Sequence, residues 1–311
     1  MKRYDFIGAL RCPKDSGALR EAGESIRCLS CGLSWREAGG KIYFIEPPKD
    51  FVAGGEVDAR SKAKWSHWRR ENLSFFERYL GERGTEDVLI DIGAGAAPFR
   101  DVLSKFEHVI GVDFFPYKDV QVVVDITGVL PFKEHSCDIV FLSNVLEHIP
   151  TPSSLLTECF RILRPGGLLV GTVPFLREVH MEPYDFHRYT YLMLKRLLAQ
   201  AGFRAHSVES LGNPFYVFEM MQQQFFNRLV DTRAYSSRFK QSMFRFTARL
   251  GRKIFTIATF LFHPIFSRAA SSTQYTEGYG FAAWKLMPSP TLSDDDALGR
   301  RVSSAGGSAT R

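Results

Sequence analysis

The sequence is poor in cysteine and has no long uninterrupted apolar segment, and these two absences exclude several classes of protein. Five cysteines in 311 residues, an odd number, do not suit the paired framework of a disulfide-rich secreted domain. Residues 1–5 lead into no apolar core of a signal peptide. The apolar stretch 257–266 is broken by a His-Pro pair and is too short to span a bilayer. We therefore expect a cytoplasmic protein without a transmembrane segment.

Charge is unevenly distributed along the chain. Hydrophobic residues make up 45% and charged residues 24% of the sequence, which is typical of a folded globular protein. The formal net charge is +6, yet residues 228–268 alone contain nine Lys or Arg and one acid. The excess of positive charge in this segment is evidence about the binding partners of the protein, and not about its fold.

Five segments differ in composition and pattern. Residues 1–48 contain short β-like runs and close at a Pro-Pro pair, which predicts a small N-terminal module. Residues 60–212 alternate between strand-like and helix-like patterns, and residues 213–272 form a basic, amphipathic helical insertion. Residues 273–287 could return to the sheet as a last strand. The Ser/Gly/Asp-rich tail 288–311 is expected to be disordered.

The alternation in the central segment predicts a doubly wound α/β fold. Its strand-like runs are short and continuously apolar, as in parallel strands that helices cover on both faces. The predicted strands are 88–90, 109–112, 122–124, 138–142, 168–173 and 203–208, and the predicted helices are 61–80, 97–106, 153–163 and 191–201.

A glycine turn and three acids at strand ends point to a nucleoside ligand. An apolar strand ends at Asp91 and enters the turn Gly93-Ala94-Gly95, where a ligand can approach the backbone. Asp113, at the end of the next strand, can accept hydrogen bonds from both hydroxyls of a ribose. Asp125-Ile126 closes a third strand, from which it could reach an adenine amine. A nicotinamide dehydrogenase uses a similar turn, but the third glycine of that motif is missing here.

Further motifs lie in the same order as in a known family. After the fourth strand the sequence reads Ser143-Asn144-Val145-Leu146-Glu147-His148. A second motif, Leu-Arg-Pro-Gly-Gly, occupies residues 163–167. Together with the glycine turn, Asp113 and Asp125, this set resembles the class I S-adenosylmethionine-dependent methyltransferases, and more narrowly the branch of ubiquinone-biosynthesis-type and type 11 enzymes. The resemblance covers residues 87–208. It implies a Rossmann-like, mostly parallel sheet whose antiparallel last strand could come from residues 279–286.

The resemblance also implies cofactor contacts. The turn from Asp91 to Gly95, including Gly93 and Ala94, would hold the amino-acid part of S-adenosylmethionine. Asp113 would hold the ribose, Asp125 and Ile126 the adenine, and Ser143 and Asn144 the floor of the site. The sequence departs from the family at 96–98, which reads Ala-Ala-Pro where relatives often carry a third glycine or a polar residue.

Methyl transfer depends mainly on positioning two bound molecules, so a catalytic base is optional. If the acceptor must lose a proton, three histidines are candidates for the base: His148, His180 and His187. Tyr184, Asp185 and Arg188, in the loop after the fifth strand, are candidates for substrate contact. The alternative is that this aromatic loop is a lid whose side chains bond one another and fix its shape.

The N-terminal module contains an incomplete set of metal ligands. Cys12, Cys28 and Cys31 resemble the cysteines of the zinc-ribbon-like module that some methyltransferases carry or bind, but Asp15 stands where a fourth thiolate is usual. Two alternatives follow. Either another ligand completes a three-cysteine zinc site, or the ribbon folds without metal.

The basic segment leaves the partner open among three alternatives. It could pack on the catalytic domain as a lid, lie on an anionic membrane surface, or contact nucleic acid.

The function expected first is methyl transfer (class EC 2.1.1) to a small molecule, a glycan or a lipid-linked acceptor. Methylation of RNA, with the ribbon and basic segment as contacts, and a non-catalytic cofactor-binding scaffold are the alternatives.

Overall fold

The computed structural model describes residues 6–48, 65–230, 238–267 and 275–287. The predicted tail 288–311 and the first residues of the predicted helix 61–80 lie outside them. The strands are β1 Leu19–Glu21, β2 Ser25–Cys28, β3 Ser34–Ala38, β4 Lys41–Tyr43, β5 Val88–Ile92, β6 His108–Asp113, β7 Val122–Val123, β8 Cys137–Ser143, β9 Leu163–Pro174, β10 Ala205–Leu211 and β11 Gly278–Trp284. The α-helices are α1 His67–Gly81, α2 Arg100–Leu103, α3 Pro152–Ile162, α4 Tyr191–Gln200, α5 Pro214–Val230 and α6 Arg238–Ser267.

The strands form a single mixed sheet with the order β1-β2-β3-β4-β7-β6-β5-β8-β9-β11-β10. Strands β7, β6, β5, β8 and β9 run parallel, and β11 lies antiparallel between β9 and β10. The predicted doubly wound, mostly parallel sheet with an antiparallel last strand is therefore confirmed. The chain reverses its direction of growth across the sheet beside β5, which is where open α/β sheets bind ligands.

Both faces of the parallel strands are buried, which explains why their sequences do not alternate. On β5, Leu89 joins a cluster with Phe76 of α1 and Phe141 of β8 on one face of the sheet. Ile90 belongs to a second cluster, in which Leu155 of α3 takes part. A helix begins at His67 because the Ser66 side chain accepts a hydrogen bond from the Arg69 amide.

The N-terminal module continues the central sheet. Strands β1 to β4 pair antiparallel in sequence, and β4 then pairs parallel with β7, with Ile42 opposite Val122. Lys41 anchors the junction, because its Nζ donates to the carbonyls of Tyr117 at 2.7 Å and Val120 at 2.6 Å. The module and the core therefore share one hydrogen-bonded sheet.

One predicted helix is much shorter in the structure. The predicted helix 97–106 is reduced to α2, Arg100–Leu103. Ala97 has a left-handed φ of 49°, and Pro98 disfavours helical backbone in the residue before it, so the helix starts only after this pair.

Farther along the chain, α5 and α6 pack against each other, with the rings of Phe226 and Phe255 5.8 Å apart. Within the described residues, every helix is too short or too polar to cross a membrane.

Candidate functional site

The predicted cofactor residues meet at one edge of the sheet. Parallel pairing places Ile92 opposite Val112 and Ser143 opposite Thr172, so β5, β6, β8 and β9 end side by side. The turn after β5, the acid that ends β6 and the residues that follow β8 share this carboxyl edge. The sheet topology thus gathers into one place residues that are far apart in the sequence.

The glycine turn has a backbone conformation that few other residues adopt. Gly93 and Gly95 have φ values of 71° and 51°, in the left-handed region. The amides of Gly93 and Ala94 donate to the Val112 carbonyl at 2.8 and 3.1 Å, which attaches the turn to β6. A Cβ on Gly93 would lie 2.5 Å from Cγ2 of Val145, so the turn packs directly on the residue after Asn144. A Cβ on Gly95 would meet no atom closer than 3.9 Å, so this side of the turn is open.

Asp113 is held in a fixed orientation beside the turn. Its Oδ2 accepts a hydrogen bond from the Gly95 amide and its Oδ1 one from the Phe115 amide, both at 2.9 Å. Burial raises the pKa of Asp113 above its usual value, although these amides oppose the shift. A carboxylate offers about four acceptor positions, so two remain for the hydroxyls of a ligand. The free acceptor positions of Asp113 therefore fit a ribose with two neighbouring hydroxyls.

Asp91, on β5 two residues before Gly93, is a second buried acid at this turn. Burial, followed by the charges of Asp113 and Asp119, raises the pKa of Asp91 to about 8. Two buried acids next to each other favour a cationic ligand, whose charge would offset their repulsion. A sulfonium nucleoside with an amino-acid ammonium group has this charge.

The residues after β8 leave polar atoms without partners. Asn144 has a φ of 55°, and its Nδ2 donates to Oγ of Ser143 at 3.3 Å. Among the described residues, the buried Oδ1 of Asn144 and the buried Oγ1 of Thr172 accept or donate no hydrogen bond. Unsatisfied buried polar atoms are costly and often mark a ligand site. Ser143, Asn144 and Thr172 are thus available to a bound molecule, and sequence reasoning missed Thr172 because strand periodicity marks it only as a core position.

Asp125 and Ile126 lie just past β7. Asp125 is exposed, and its Oδ1 accepts hydrogen bonds from the amide and hydroxyl of Thr127 at 2.9 and 2.7 Å. Ile126 is half-buried against the core. An exposed carboxylate can accept a hydrogen bond from the adenine amine, and a neighbouring apolar side chain can cover the face of the base. That Asp125 and Ile126 do so stays a prediction.

The loop after β9 is organised by an ion pair. Arg188 donates through Nη1 and Nη2 to both carboxylate oxygens of Asp185 at 2.6 and 2.7 Å, and its Nη2 also donates to the Glu178 carbonyl. Hydrogen bonds from Arg188 hold the pKa of Asp185 well below its usual range. Asp185 also accepts from the His180 amide at 2.8 Å. Asp185 and Arg188 thus fix the shape of the loop, whereas Tyr184 is exposed.

The three candidate bases occupy different positions. Nδ1 of His148 bonds to the Tyr184 carbonyl at 2.6 Å, and the rings of His148 and His180 are 5.0 Å apart. His187 lies apart from this pair, with its Nε2 3.3 Å from the Pro150 carbonyl. Glu147, which sequence reasoning did not select, is fully buried between His148 and His180, and burial raises its pKa to about 8. The sequence shows that Glu147 follows a strand, but not that it is buried.

The N-terminal module brings its predicted ligands together and adds a fourth. The Sγ atoms of Cys12 and Cys31 are 3.7 Å apart, and Sγ of Cys28 is 3.4 Å from Oδ1 of Asp15. The ligand atoms of all four residues lie within 4.8 Å of one another. The amides of Ser30 and Cys31 donate to Sγ of Cys28, both at 3.4 Å. Amides aimed at sulfur stabilise a thiolate, the form in which cysteine binds a metal.

Comparison with known proteins agrees with the geometry. Residues 90–171 match the family model described as a methyltransferase domain. A probable S-adenosylmethionine-dependent methyltransferase of Mycolicibacterium smegmatis is 27% identical over 172 residues, which cover 50% of this chain and 66% of that protein. An uncharacterized methyltransferase of Mycobacterium tuberculosis is 38% identical over 139 residues, which cover 41% of this chain and 52% of the relative.

The match thus spans between half and two thirds of these two relatives' own lengths. A solved methyltransferase from Archaeoglobus fulgidus superposes with a TM-score of 0.44 at 18% identity, covering 70% of this chain and 94% of that one. The assignment rests on the strand order, the glycine turn with Asp113, and the family match over β5 to β9. Together they identify residues 90–171 as a methyltransferase domain.

Proposed function

We propose that this protein transfers the methyl group of S-adenosylmethionine to an oxygen, nitrogen or carbon atom of a small-molecule, glycan or lipid-linked acceptor. The observation that carries the cofactor assignment is Asp113, a buried carboxylate fixed by two amides beside the open glycine turn. S-adenosylmethionine would supply an electrophilic methyl on a sulfonium. The protein's own contribution is to orient the two reactants and to exclude water around them.

Each part of the site has a task in this proposal. Gly95 leaves room for the cofactor at the backbone, and Asp113 accepts the ribose hydroxyls. Asp91 loses its proton when the cationic cofactor binds, and its carboxylate then offsets the positive charge. Asn144 and Thr172 offer polar atoms at the floor of the site. The loop fixed by Asp185 and Arg188 lies against Glu147 and His148, which follow Asn144 in the chain.

Calorimetric titration with S-adenosylmethionine and S-adenosylhomocysteine, with NAD as the control ligand, tests the cofactor. We expect both sulfur nucleosides to bind, and Asp113→Ala to weaken them by about tenfold to a hundredfold, since hydrogen bonds to a charged group contribute about 1.5–3 kcal/mol. The exposed Asp101→Ala on α2 is the matched control and should bind as the unsubstituted protein does. Preference for NAD, or equal effects of the two substitutions, would refute the assignment. Binding without formation of S-adenosylhomocysteine on any acceptor would favour the scaffold alternative.

The surface of α6 supports an acceptor at a lipid surface. This helix contains six Arg or Lys and no acid. Its apolar stripe does not enter the core, because Phe246 is 66% and Ile257 is 59% exposed. An exposed apolar stripe with basic residues beside it favours an anionic membrane surface, where both kinds of side chain are satisfied.

Sedimentation with vesicles tests this surface. We expect binding to phosphatidylglycerol vesicles, weak binding to phosphatidylcholine vesicles, and a loss of at least tenfold with Phe246→Asp. The control is Leu192→Asp, because Leu192 is equally exposed but lies on α4. Salt-sensitive binding of RNA without binding of vesicles would favour the RNA alternative.

We also propose that Cys12, Asp15, Cys28 and Cys31 hold a structural zinc ion. In a tetrahedral site with Zn–S and Zn–O distances of about 2.3 and 2.0 Å, two sulfurs lie about 3.8 Å apart and a sulfur and an oxygen about 3.5 Å apart. The observed separations of 3.7 Å between Cys12 and Cys31 and of 3.4 Å between Cys28 and Asp15 fit these values.

Metal analysis of the purified protein tests this ribbon site. We expect Asp15→Ala to lower the zinc content by one ion per chain, and Asp15→Cys and the exposed Glu21→Gln to leave it unchanged. Retention of the full zinc content by Asp15→Ala would show that Asp15 is not a ligand.

A further inference from the structure

Glu147 presents a problem that the proposed methyl transfer does not resolve. Its side chain is 0% exposed, and among the described residues neither of its carboxylate oxygens has a hydrogen-bond partner. The nearby positive charge is that of Arg188, which is already committed to Asp185 through two short hydrogen bonds. A buried carboxyl group without partners is costly unless something binds it.

Two histidines face the same carboxylate. Nε2 of His148 is 3.8 Å and Nε2 of His180 is 3.9 Å from Oε1 of Glu147, too far for a hydrogen bond. The three ligand atoms lie within 4.8 Å of one another. The gap among them is thus bordered by two nitrogens and one oxygen.

The other ring nitrogen of each histidine is occupied. Nδ1 of His148 is 2.6 Å from the Tyr184 carbonyl, and Nδ1 of His180 is 3.2 Å from the Glu178 carbonyl and 3.3 Å from Oδ2 of Asp185. A carbonyl can only accept, so Nδ1 of His148 carries the proton and its Nε2 presents its lone pair toward the gap. This arrangement is the usual outer sphere of a metal-binding histidine. Nδ1 of His180 also lies 3.4 Å from the donor Nη2 of Arg188, so the contacts of His180 fit either tautomer.

We propose that Glu147, His148 and His180 bind a divalent transition-metal ion. With metal–ligand distances of about 2.1 Å, ligand atoms in a tetrahedral site lie about 3.4 Å apart. Oε1 of Glu147 lies 0.4 to 0.5 Å farther than this from each histidine Nε2, and all three ligand atoms lie within 4.8 Å of one another. His180 lies in a loop, so a small movement closes the site. Two imidazoles and one carboxylate favour Zn²⁺ or Mn²⁺ over Mg²⁺, which prefers oxygen ligands.

The position of this site gives it a role in acceptor binding. Glu147 is two residues from Val145, which packs on the Gly93 turn. Three protein ligands leave at least one coordination position open, and the partly exposed His180 lies on the accessible side. Resting on the proposed function, the ion would hold an acceptor through an oxygen atom next to the methyl-transfer site.

Titration with Mn²⁺ alone, followed by the loss of its free electron paramagnetic resonance signal, tests the site. Mn²⁺ favours oxygen and nitrogen ligands, so it distinguishes this site from the cysteine-rich one. We expect one bound Mn²⁺ per chain, affinity lowered at least tenfold by Glu147→Gln and by His180→Gln, and displacement by Zn²⁺. The control is His206→Gln, a half-buried histidine on β10.

Absence of binding, or equal affinity in Glu147→Gln and the unsubstituted protein, would overturn the proposal. Circular dichroism shows whether each variant is folded, and His180→Gln, in a loop, keeps the test valid if Glu147→Gln does not fold. The titration contains neither cofactor nor acceptor. Failure to bind Mn²⁺ is therefore distinguishable from failure to bind S-adenosylhomocysteine, which is measured separately.

Discussion

Replacing Gly93 by alanine should destabilise the protein through two separable effects. The φ of 71° costs an alanine about 1 kcal/mol, because its Cβ crowds the backbone in the left-handed region. The new Cβ would also lie 2.5 Å from Cγ2 of Val145, a buried side chain that is 5% exposed. Overpacking of this kind costs about 1–3 kcal/mol. We therefore expect Gly93→Ala to lose about 2–4 kcal/mol of unfolding free energy.

Two other glycines separate these effects. Gly95 has a φ of 51° and Gly23 a φ of 65°, but a Cβ on either would contact no atom closer than 3.9 Å. Gly95→Ala and Gly23→Ala should each cost only the backbone part, about 1 kcal/mol. Gly95 lies in the same turn and Gly23 lies far from it, so the pair also shows whether location matters.

A double-mutant cycle with Val145→Ala completes the test. Truncating Val145 removes the clashing methyl groups, so Gly93→Ala should cost only about 1 kcal/mol in that background. Urea denaturation followed by circular dichroism, without cofactor, measures all the variants. Equal losses for Gly93→Ala and Gly95→Ala, or strict additivity in the cycle, would refute the packing explanation.

Two further predictions concern buried charges. The pKa of Asp91 is raised to about 8, so the folded state keeps a proton that the unfolded chain loses near pH 4. As the pH rises from about 4 to about 8, the free energy of unfolding should therefore fall by up to about 1.4 kcal/mol per pH unit. Asp91→Asn should flatten that slope in pH-dependent urea denaturation, while the exposed Asp101→Asn leaves it unchanged. Glu277 is 3% exposed and accepts hydrogen bonds from His67 at 2.5 Å and from Arg177 at 3.2 Å. Burial lowers the pKa of His67, but its hydrogen bonds to Glu277 and Glu71 outweigh this effect and raise the pKa. Glu277→Gln should therefore cost about 3–5 kcal/mol below pH 6, and less as pH rises through the pKa of His67; an equal loss at all pH values would contradict this origin.

The sequence predicts the parallel core because its strands are continuous apolar runs, and the first three, β5 to β7, end in or near a glycine or an acid. Asp91 and Asp113 were selectable for this reason, and the topology brings them together. The shortened α2 was harder to foresee, because its apolar spacing is helical and only the left-handed Ala97 before Pro98 delays its start.

Other features depend on contacts between distant parts of the chain. The pairing of Ile42 with Val122 joins residues that no local pattern relates. The burial of Glu147 depends on the loop after β9, because the Phe186 and His187 amides both donate to its carbonyl. Periodicity reports which face of a strand or helix is apolar, but not which distant loop covers a polar side chain.

The junction between β4 and β7 has a consequence for the solubility of the protein. Strand β7 would otherwise be the outer strand of the parallel sheet, with unpaired backbone amides and carbonyls along buried, apolar Val122 and Val123. Such an edge is a template for pairing with another chain. The N-terminal module moves the free edge to β1, a strand of three residues that carries the charged Arg20 and Glu21. Removing residues 1–48 should thus make the protein self-associate through β7, whatever becomes of its chemistry.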